Sequence, residues 1–265
     1  DVNFKGNNID NFAGTAKLFN GQLKGNSSKI NFDSLTLSST IEKGNKLIRI
    51  ASDDLQASIK GKFDLVHLPA SVQYFIRNYL PTYIPSPKNN PTNQQFDISI
   101  KTNYFEPYIR LFNKDITGFN NIAITGSINT DKQILGLKGK IPFATFKYNW
   151  ADYAIKDGNI TGSGNIDSLH LTLEANQFNL TDSFNFSKPV INIHASKDVS
   201  LVDIEANSTS ALDRLFLNGI VHTYGDGISV NWLPSYFMLN RKKWDIAAKS
   251  EISIRESNVS ANNFK

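Results

Sequence analysis

The chain has 265 residues, 40% of them hydrophobic, which is enough for a sizeable core in one large domain or two ordinary ones. Its 28 basic and 24 acidic residues give a net charge of +4, and the basic residues form no block, so we expect no nucleic-acid partner. The absence of cysteine excludes a disulfide scaffold and a thiolate metal site.

The chain opens with DVNFKGNN, which has neither the basic region nor the apolar region of a signal peptide. No run approaches the ~18–20 apolar residues that a membrane helix needs. We therefore expect the chain to be part of a longer protein, with any anchor or targeting signal outside these residues.

The first 50 residues predict short strands separated by Asn and Gly. Apolar and polar residues alternate over Phe12–Leu18, Gly21–Lys24, Lys29–Leu37 and Lys46–Ile50. Asn20-Gly21 is expected to form a tight hairpin turn, because both central residues of such a turn need positive φ.

The stretch Asp54–Pro81 combines a strand with a helix. From Leu55 to Phe63 the residues alternate without a break, which predicts a strand with one apolar and one polar face. An amphipathic helix is predicted over residues 69–80, because Pro suits a first turn and Pro81 cannot continue a helix. Apolar residues recur there at helical spacing: Val72, Phe75, Ile76, Tyr79 and Leu80.

A loop and a second helix are predicted next. Residues 81–95 are rich in Pro and Asn and predict a mobile loop. Strand alternation resumes at Phe96, Ile98 and Ile100, so we interpret the helix and loop as an excursion from one continuing sheet rather than a domain linker. Residues 104–112 predict a short helix, weakened by an internal proline.

From Asn121 onwards, strands recur every 8–12 residues, which predicts an antiparallel meander. No strand alternates with a long helix, so a parallel α/β sheet is not expected. The turns between strands are predicted at residues 129–131, 157–159, 162–165 and 224–227. We interpret residues 1–265 as a single all-β segment.

Nearly every predicted strand has only one apolar face. A sheet of about fifteen such strands must close, pair with another sheet or curl around something apolar. A compact barrel or sandwich has about eight to ten strands. We therefore predict a long curved meander whose apolar side lines a groove, about 70 Å long at ~4.8 Å per strand.

The sequence has no signature of catalysis or of metal binding. The four histidines, His67, His170, His194 and His222, lie in or beside strands without the spacing of a metal motif. The carboxylate pairs Asp53/Asp54 and Asp203/Glu205 are interpreted as solvated. We expect no catalytic residue, no metal, no cofactor and no enzymatic activity.

Two segments resemble the AsmA-like TamB family in its Bacteroidota-type form. SIKGKFDLVHLPASVQYFIRNYLP is similar to a recurrent unit in which a strand ending in G-x-F-D-L precedes L-P, a short amphipathic helix and Y-L-P. YFMLNRKKWDIA, over Tyr236–Ala247, resembles the family's apolar strand, Asn-centred turn and Trp-containing strand. The resemblance runs from Lys46 to the last residue.

This resemblance implies a repeating β-groove, or β-taco, with an apolar interior. Full-length relatives are anchored in the inner membrane by an N-terminal helix, cross the periplasm and engage a BamA-like (TamA-type) outer-membrane partner. The implied role is to carry phospholipid, or another lipid with acyl chains, between the membranes, to assist outer-membrane protein assembly, or both.

On this interpretation the groove is lined by apolar strand residues, and the helix caps the groove or packs on its rim. The lining residues are Leu55, Ile59, Phe63, Ile98, Ile124, Leu137, Leu171, Ile204, Leu217 and Val230. An ordinary closed core is the alternative for each of them. The competing class of protein is an extracellular adhesin or autotransporter-like passenger, whose β-sheet is closed and carries no lipid.

Overall fold

The computed structural model describes residues 2–6, 8, 10–25, 29–111, 113–148, 151–180, 184–208, 212–256 and 258–263. These residues form one antiparallel sheet of 20 strands with two short helices, which confirms the predicted all-β meander. The predicted strand residue Trp150 and the predicted helix residue Phe112 lie outside the described residues.

The strands are β1 (Val2–Lys5), β2 (Ala13–Lys24), β3 (Lys29–Glu42), β4 (Asn45–Ser52), β5 (Leu55–Lys62), β6 (Gln95–Thr102), β7 (Ile116–Gly118), β8 (Ala123–Asn129), β9 (Ile134–Tyr148), β10 (Ala151–Asn165), β11 (Leu169–Glu174), β12 (Gln177–Leu180), β13 (Phe184–Ser196), β14 (Val199–Ser208), β15 (Leu212–Tyr224), β16 (Gly227–Trp232), β17 (Ser235–Leu239), β18 (Lys242–Ile246), β19 (Glu251–Arg255) and β20 (Asn258–Asn262). The helices are α1 (Leu68–Tyr79), preceded by a 3₁₀ turn (Leu65–His67), and α2 (Glu106–Arg110).

We call each successive position across the sheet a strand line. Four of these lines are occupied by two shorter strands instead of one. β7 and β8 both pair with β9, and β11 and β12 both lie between β10 and β13. β16 and β17 both pair with β15, and β18 and β19 form the next line. With each broken line counted once, the 20 strands reduce by four to sixteen successive lines, each antiparallel to the next.

Three turns predicted from Gly and Asn are wrong, because the strands run straight through them. β2 passes through Asn20, and β10 passes through both predicted turns at residues 157–159 and 162–165. Asn20 and Asp157 each adopt a left-handed φ, +49° and +50°, but the strands keep the same pairing register on both sides of them. The turns predicted at 129–131 and 224–227 are present, the first displaced by a residue or two.

The strand glycines were mistaken for turn signals because their role is to leave space for side chains on neighbouring strands. A Cβ on Gly21 would overlap the ring of Phe32, at 2.0 Å from its nearest atom. A Cβ on Gly162 would lie 3.1 Å from a methyl of Leu171. Because such a contact is made with a residue of the partner strand, the sequence around the glycine does not predict it.

The helix predicted at 69–80 is α1, displaced by one residue, and the helix predicted within 104–112 is α2. Pro69 stands at the start of α1, where a missing N–H is harmless. The chain enters α1 from β5 and returns to β6, and β5 pairs directly with β6. Helix and loop are therefore an insertion between two neighbouring strands of the sheet.

The loop after α1 is tied to the sheet at its end. Gln94 is buried, and its backbone N–H donates to Thr130 Oγ1 at 3.0 Å. Its side-chain oxygen accepts from the backbone N–H of Asp64 at 2.9 Å, which closes the insertion at its base. Gln95, assigned to the loop in the sequence, is the first residue of β6.

The molecule exposes far more surface than a compact protein of its mass. Its accessible area is 16,379 Å² at 29.6 kDa, whereas a compact monomer of that mass exposes about 11,600 Å². Its buried clusters are small and lie beside α1, one around Ile48, Phe63 and Phe96. Most of the apolar face of the sheet is therefore not covered by a second layer.

The close packing around Gly164, beneath α1, can be tested by mutation. A Cβ on Gly164 would lie 2.7 Å from the Ser168 carbonyl oxygen and 2.9 Å from the Tyr79 hydroxyl. Gly164→Ala should therefore lower the free energy of unfolding by about 1–3 kcal/mol, measured by urea denaturation. Gly139→Ala is the matched control, because its nearest neighbours stand at 3.6 and 3.7 Å. Equal stability of the two variants would contradict this packing.

Candidate functional site

The candidate site is the apolar face of the sheet, which we call the inner face. Residues paired directly across neighbouring strands point to the same side, so the register shows which residues share a face. One row of the inner face runs across successive strands, and it consists of Ile48, Ile59, Ile98, Gly126, Leu137, Gly162, Leu171, Ile193, Val202 and Gly219. The row is apolar or glycine throughout.

A second row lies two residues along each strand and has the same character. It consists of Leu37, Ile50, Ala57, Ile100, Ile124, Gly139, Ile160, Leu173, Ile191, Ile204 and Leu217. The residues between these rows, on the opposite or outer face, are mostly Ser, Thr, Asn and Lys. The inner face is thus a continuous apolar surface from β3 to β15.

All ten residues predicted to line a groove lie on the inner face. The first row contains Ile59, Ile98, Leu137 and Leu171, and the second contains Ile124, Ile204 and Leu217. The same alternation places Leu55 of β5 and Val230 of β16 on this face, together with Phe63, which directly follows β5. Only Phe63 is buried, and the other nine are half-buried. Half-buried side chains are what an unfilled groove shows and what a closed, close-packed core does not.

The inner face contains an apolar cavity that the sequence did not reveal. The cavity has a volume of about 360 Å³ and lies over β9 to β15. Its walls include Ile141, Ile155, Ile160, Phe178, Phe186, Ile191 and Ile204. Of these residues only Ile204 is among the predicted lining residues. Ile155 and Ile160 both line the cavity, although unbroken alternation would place them on opposite faces, and Asp157 between them has a left-handed φ of +50°.

Helix α1 lies on the inner face at one strand-end edge. Phe75 and Tyr79 are buried there, and they pack with Ala195 against side chains of β8, β9, β11 and β13. Those strands would span about 19 Å on a flat sheet, whereas Phe75 and Tyr79 are one helical turn, about 6 Å, apart. The sheet is therefore concave towards the helix.

The predicted apolar stripe of α1 divides between the sheet and solvent. Phe75 and Tyr79 are 1% and 3% exposed, and Leu80 packs beside them. Val72 and Ile76 point away and are 38% and 40% exposed. Ser71 is buried instead and donates to the His67 carbonyl at 2.9 Å.

Polar contacts fix the C-terminal end of α1 across the edge of the sheet. The Tyr79 hydroxyl donates to the Asn165 carbonyl at 2.6 Å, and burial raises the pKa of Tyr79 to about 12. The backbone N–H and the hydroxyl of Thr82 donate to the two carboxylate oxygens of Asp198 at 3.1 and 2.7 Å. The Asp198 N–H in turn donates to the Tyr79 carbonyl at 2.9 Å.

The N-terminal end of the insertion is held by Asp10. This carboxylate accepts from the backbone N–H of Leu65 at 2.5 Å and from Lys46 Nζ at 3.3 Å. Lys46 is buried, and its ammonium also lies 5.1 Å from the centre of the Phe63 ring. The insertion is therefore attached to the sheet at both ends, and it closes this edge of the inner face from β5 to β13.

No metal-binding cluster is found among the described residues. They contain no group of three or more His, Asp and Glu side chains placed to hold a metal ion. His170 and His194 stand opposite each other on the outer face, both exposed, with ring centres 6.2 Å apart. Neither described helix is long and apolar enough to cross a bilayer.

Comparison of the chain with protein-family models, with curated protein sequences and with solved structures finds no match.

Phe75 provides the first test of the role of α1. Phe75→Ala should lower the free energy of unfolding by about 3–5 kcal/mol, because it removes a fully buried ring between helix and sheet. Val72→Ala, on the exposed side of the same helix, should change it by less than about 0.5 kcal/mol. Urea denaturation measures both, and equal effects would show that α1 does not pack as described.

Tyr79 provides a second test, at alkaline pH. The pKa of Tyr79 is raised from 10.0 to about 12 in the folded chain, so the unfolded chain loses this proton first. The contribution is complete below about pH 10 and is lost as the pH rises towards 12. Tyr79→Phe should lack this loss in urea denaturation across that range. A parallel fall in both proteins would show that other tyrosines account for it.

Proposed function

We propose that the inner face binds the acyl chains of phospholipid and carries them along the sheet. The observation that carries this proposal is the continuous apolar surface of half-buried side chains between β3 and β15, with an apolar cavity of about 360 Å³ within it. An acyl chain gains roughly 0.8 kcal/mol for each CH₂ removed from water, in any direction along the surface. Such a ligand requires no polar motif.

The dimensions of the sheet suit transport over a distance. Sixteen successive strand lines at ~4.8 Å span about 70 Å, more than twice the ~30 Å hydrocarbon thickness of a bilayer. We place the chain in the periplasm, within a longer protein anchored in the inner membrane. Its resemblance to the AsmA-like TamB family is the support for that location.

The same resemblance supports a role in outer-membrane protein assembly and a BamA-like partner. That partner would be engaged through parts of the full protein other than these residues. A closed, dry adhesin-like domain is disfavoured by the accessible area of 16,379 Å², because a closed β-structure of this mass exposes far less.

Native mass spectrometry of the purified chain, followed by lipid extraction, tests the proposal. We expect co-purifying phospholipid, or uptake of labelled phospholipid by the delipidated protein. A clean mass together with no uptake of labelled phospholipid would overturn the proposal and favour a closed scaffold.

Charge placed on the inner face should abolish lipid binding while the fold survives. Leu171→Asp puts a carboxylate on a half-buried inner position, and we expect at least a tenfold loss of phospholipid uptake with an unchanged circular dichroism spectrum. Thr161→Asp is the matched control, since it lies on the adjacent strand but on the exposed outer face. Ile59→Asp should behave as Leu171→Asp does. Global unfolding of either inner variant would mean that the face is a closed core.

A further inference from the structure

The outer face carries a concentrated positive charge on one part of the sheet. Six cations lie at outward-facing positions of β4, β5, β6 and β9, and all six are exposed: Arg49, Lys60, Lys62, Lys101, Lys138 and Lys140. Asp97 is the one acidic side chain at the described outward positions of β4, β5, β6, β8 and β9. We call this surface the basic face.

The basic face holds more positive charge than the chain has in total. Six cations and one carboxylate give +5, against +4 for the whole sequence. Acidic outward residues collect further along the sheet instead, at Glu174 of β11 and at Asp203 and Glu205 of β14. None of the six cations forms an ion pair with a described residue. The charge is therefore available to an anionic partner.

A trough runs through the basic face along β8. From Ala123 to Ser127 the outward side chains of β8 are short, Ala123, Thr125 and Ser127, and Gly136 beside Ser127 on β9 has none. β5 and β6 form one wall and β9 forms the other. Two adjoining clefts of about 620 and 580 Å³ lie over the Thr125–Asn129 part of the trough, and both are lined by Lys60, Asp97 and Ser127.

The trough has the width of a single extended chain. Lys101 and Lys140 both pair with Ala123 from opposite sides, so their strands are two spacings, about 10 Å, apart. The floor and sides carry hydroxyl groups, those of Ser58, Ser99, Thr125, Ser127 and Ser163. A ligand lying in it would meet ammonium groups on both sides and hydroxyl groups beneath.

We infer that the basic face binds an acidic oligosaccharide, which lies along β8 with its carboxylate groups directed to the lysines of both walls. The hydroxyl groups on the floor can form hydrogen bonds with the many hydroxyl groups of a sugar chain. The lysines of the two walls, which form no ion pair with a described residue, can pair with its carboxylate groups. The outward positions of β4, β5, β6 and β8, and of β9 as far as Lys140, include no aromatic side chain, which single-stranded nucleic acid would require for base stacking. This site is on the opposite side of the sheet from the inner face and is independent of lipid binding.

Titration calorimetry with a hexamer of galacturonic acid, and with a neutral glucose hexamer, tests the inference. The wild-type chain should bind the acidic hexamer and not the neutral one. Lys60→Gln/Lys138→Gln, which removes one cleft-lining lysine from each wall, should lower the affinity about tenfold and make the dependence of log affinity on log salt concentration shallower by up to about two. Circular dichroism checks that the fold is unchanged.

Lys24→Gln/Lys88→Gln is the matched control, because it removes the same charge from exposed positions away from the basic face. Its affinity should stay within twofold of wild type. The inference is overturned if the wild type does not bind the acidic hexamer, if both double variants lose affinity equally, or if the neutral hexamer binds as well. Equal competition by a glutamate octamer would show a general polyanion surface and overturn the assignment to a sugar.

Discussion

The register between strands is the constraint on which the structure depends. A slip of one residue between two strands would turn an apolar row towards water and a polar row towards the groove. The rows through Ile59 and Ile160 remain apolar across ten or more strands because each pairing preserves the same parity, and β10 keeps one register where its partner changes from β11 to β12. The two faces therefore keep different chemical character along the sheet.

The inner face is stabilised unevenly. Its fully covered part lies beside α1, where Phe75 and Tyr79 fill the concave side of the sheet, and the remainder is half-buried. The ladder hydrogen bonds hold the backbone of the open part, while side-chain packing contributes most where the insertion crosses the edge. Under the proposed function the inner face has to admit an acyl chain, and such a surface cannot be packed as densely as a closed core.

Sequence periodicity predicted the fold well wherever structure is local. Strict alternation from Leu55 to Phe63 and the helical stripe of α1 are properties of consecutive residues, and they appear as predicted. The turns expected at Asn20 and Gly162 were wrong because partner strands determine what happens there. The cavity around Ile160 and the basic face were missed for the same reason: Lys60, Lys101 and Lys140 become neighbours only through pairings that join distant parts of the sequence.

The meander also determines the order in which contacts become available during folding. Each strand line pairs with the one that follows it, so most of the sheet involves short loops and is assembled step by step along the chain. The attachment of α1 is different, because Thr82 and Asp198 are 116 residues apart. Asp198 lies in the turn between β13 and β14, so we expect this contact to form only after that hairpin and this edge of the inner face to close late in folding.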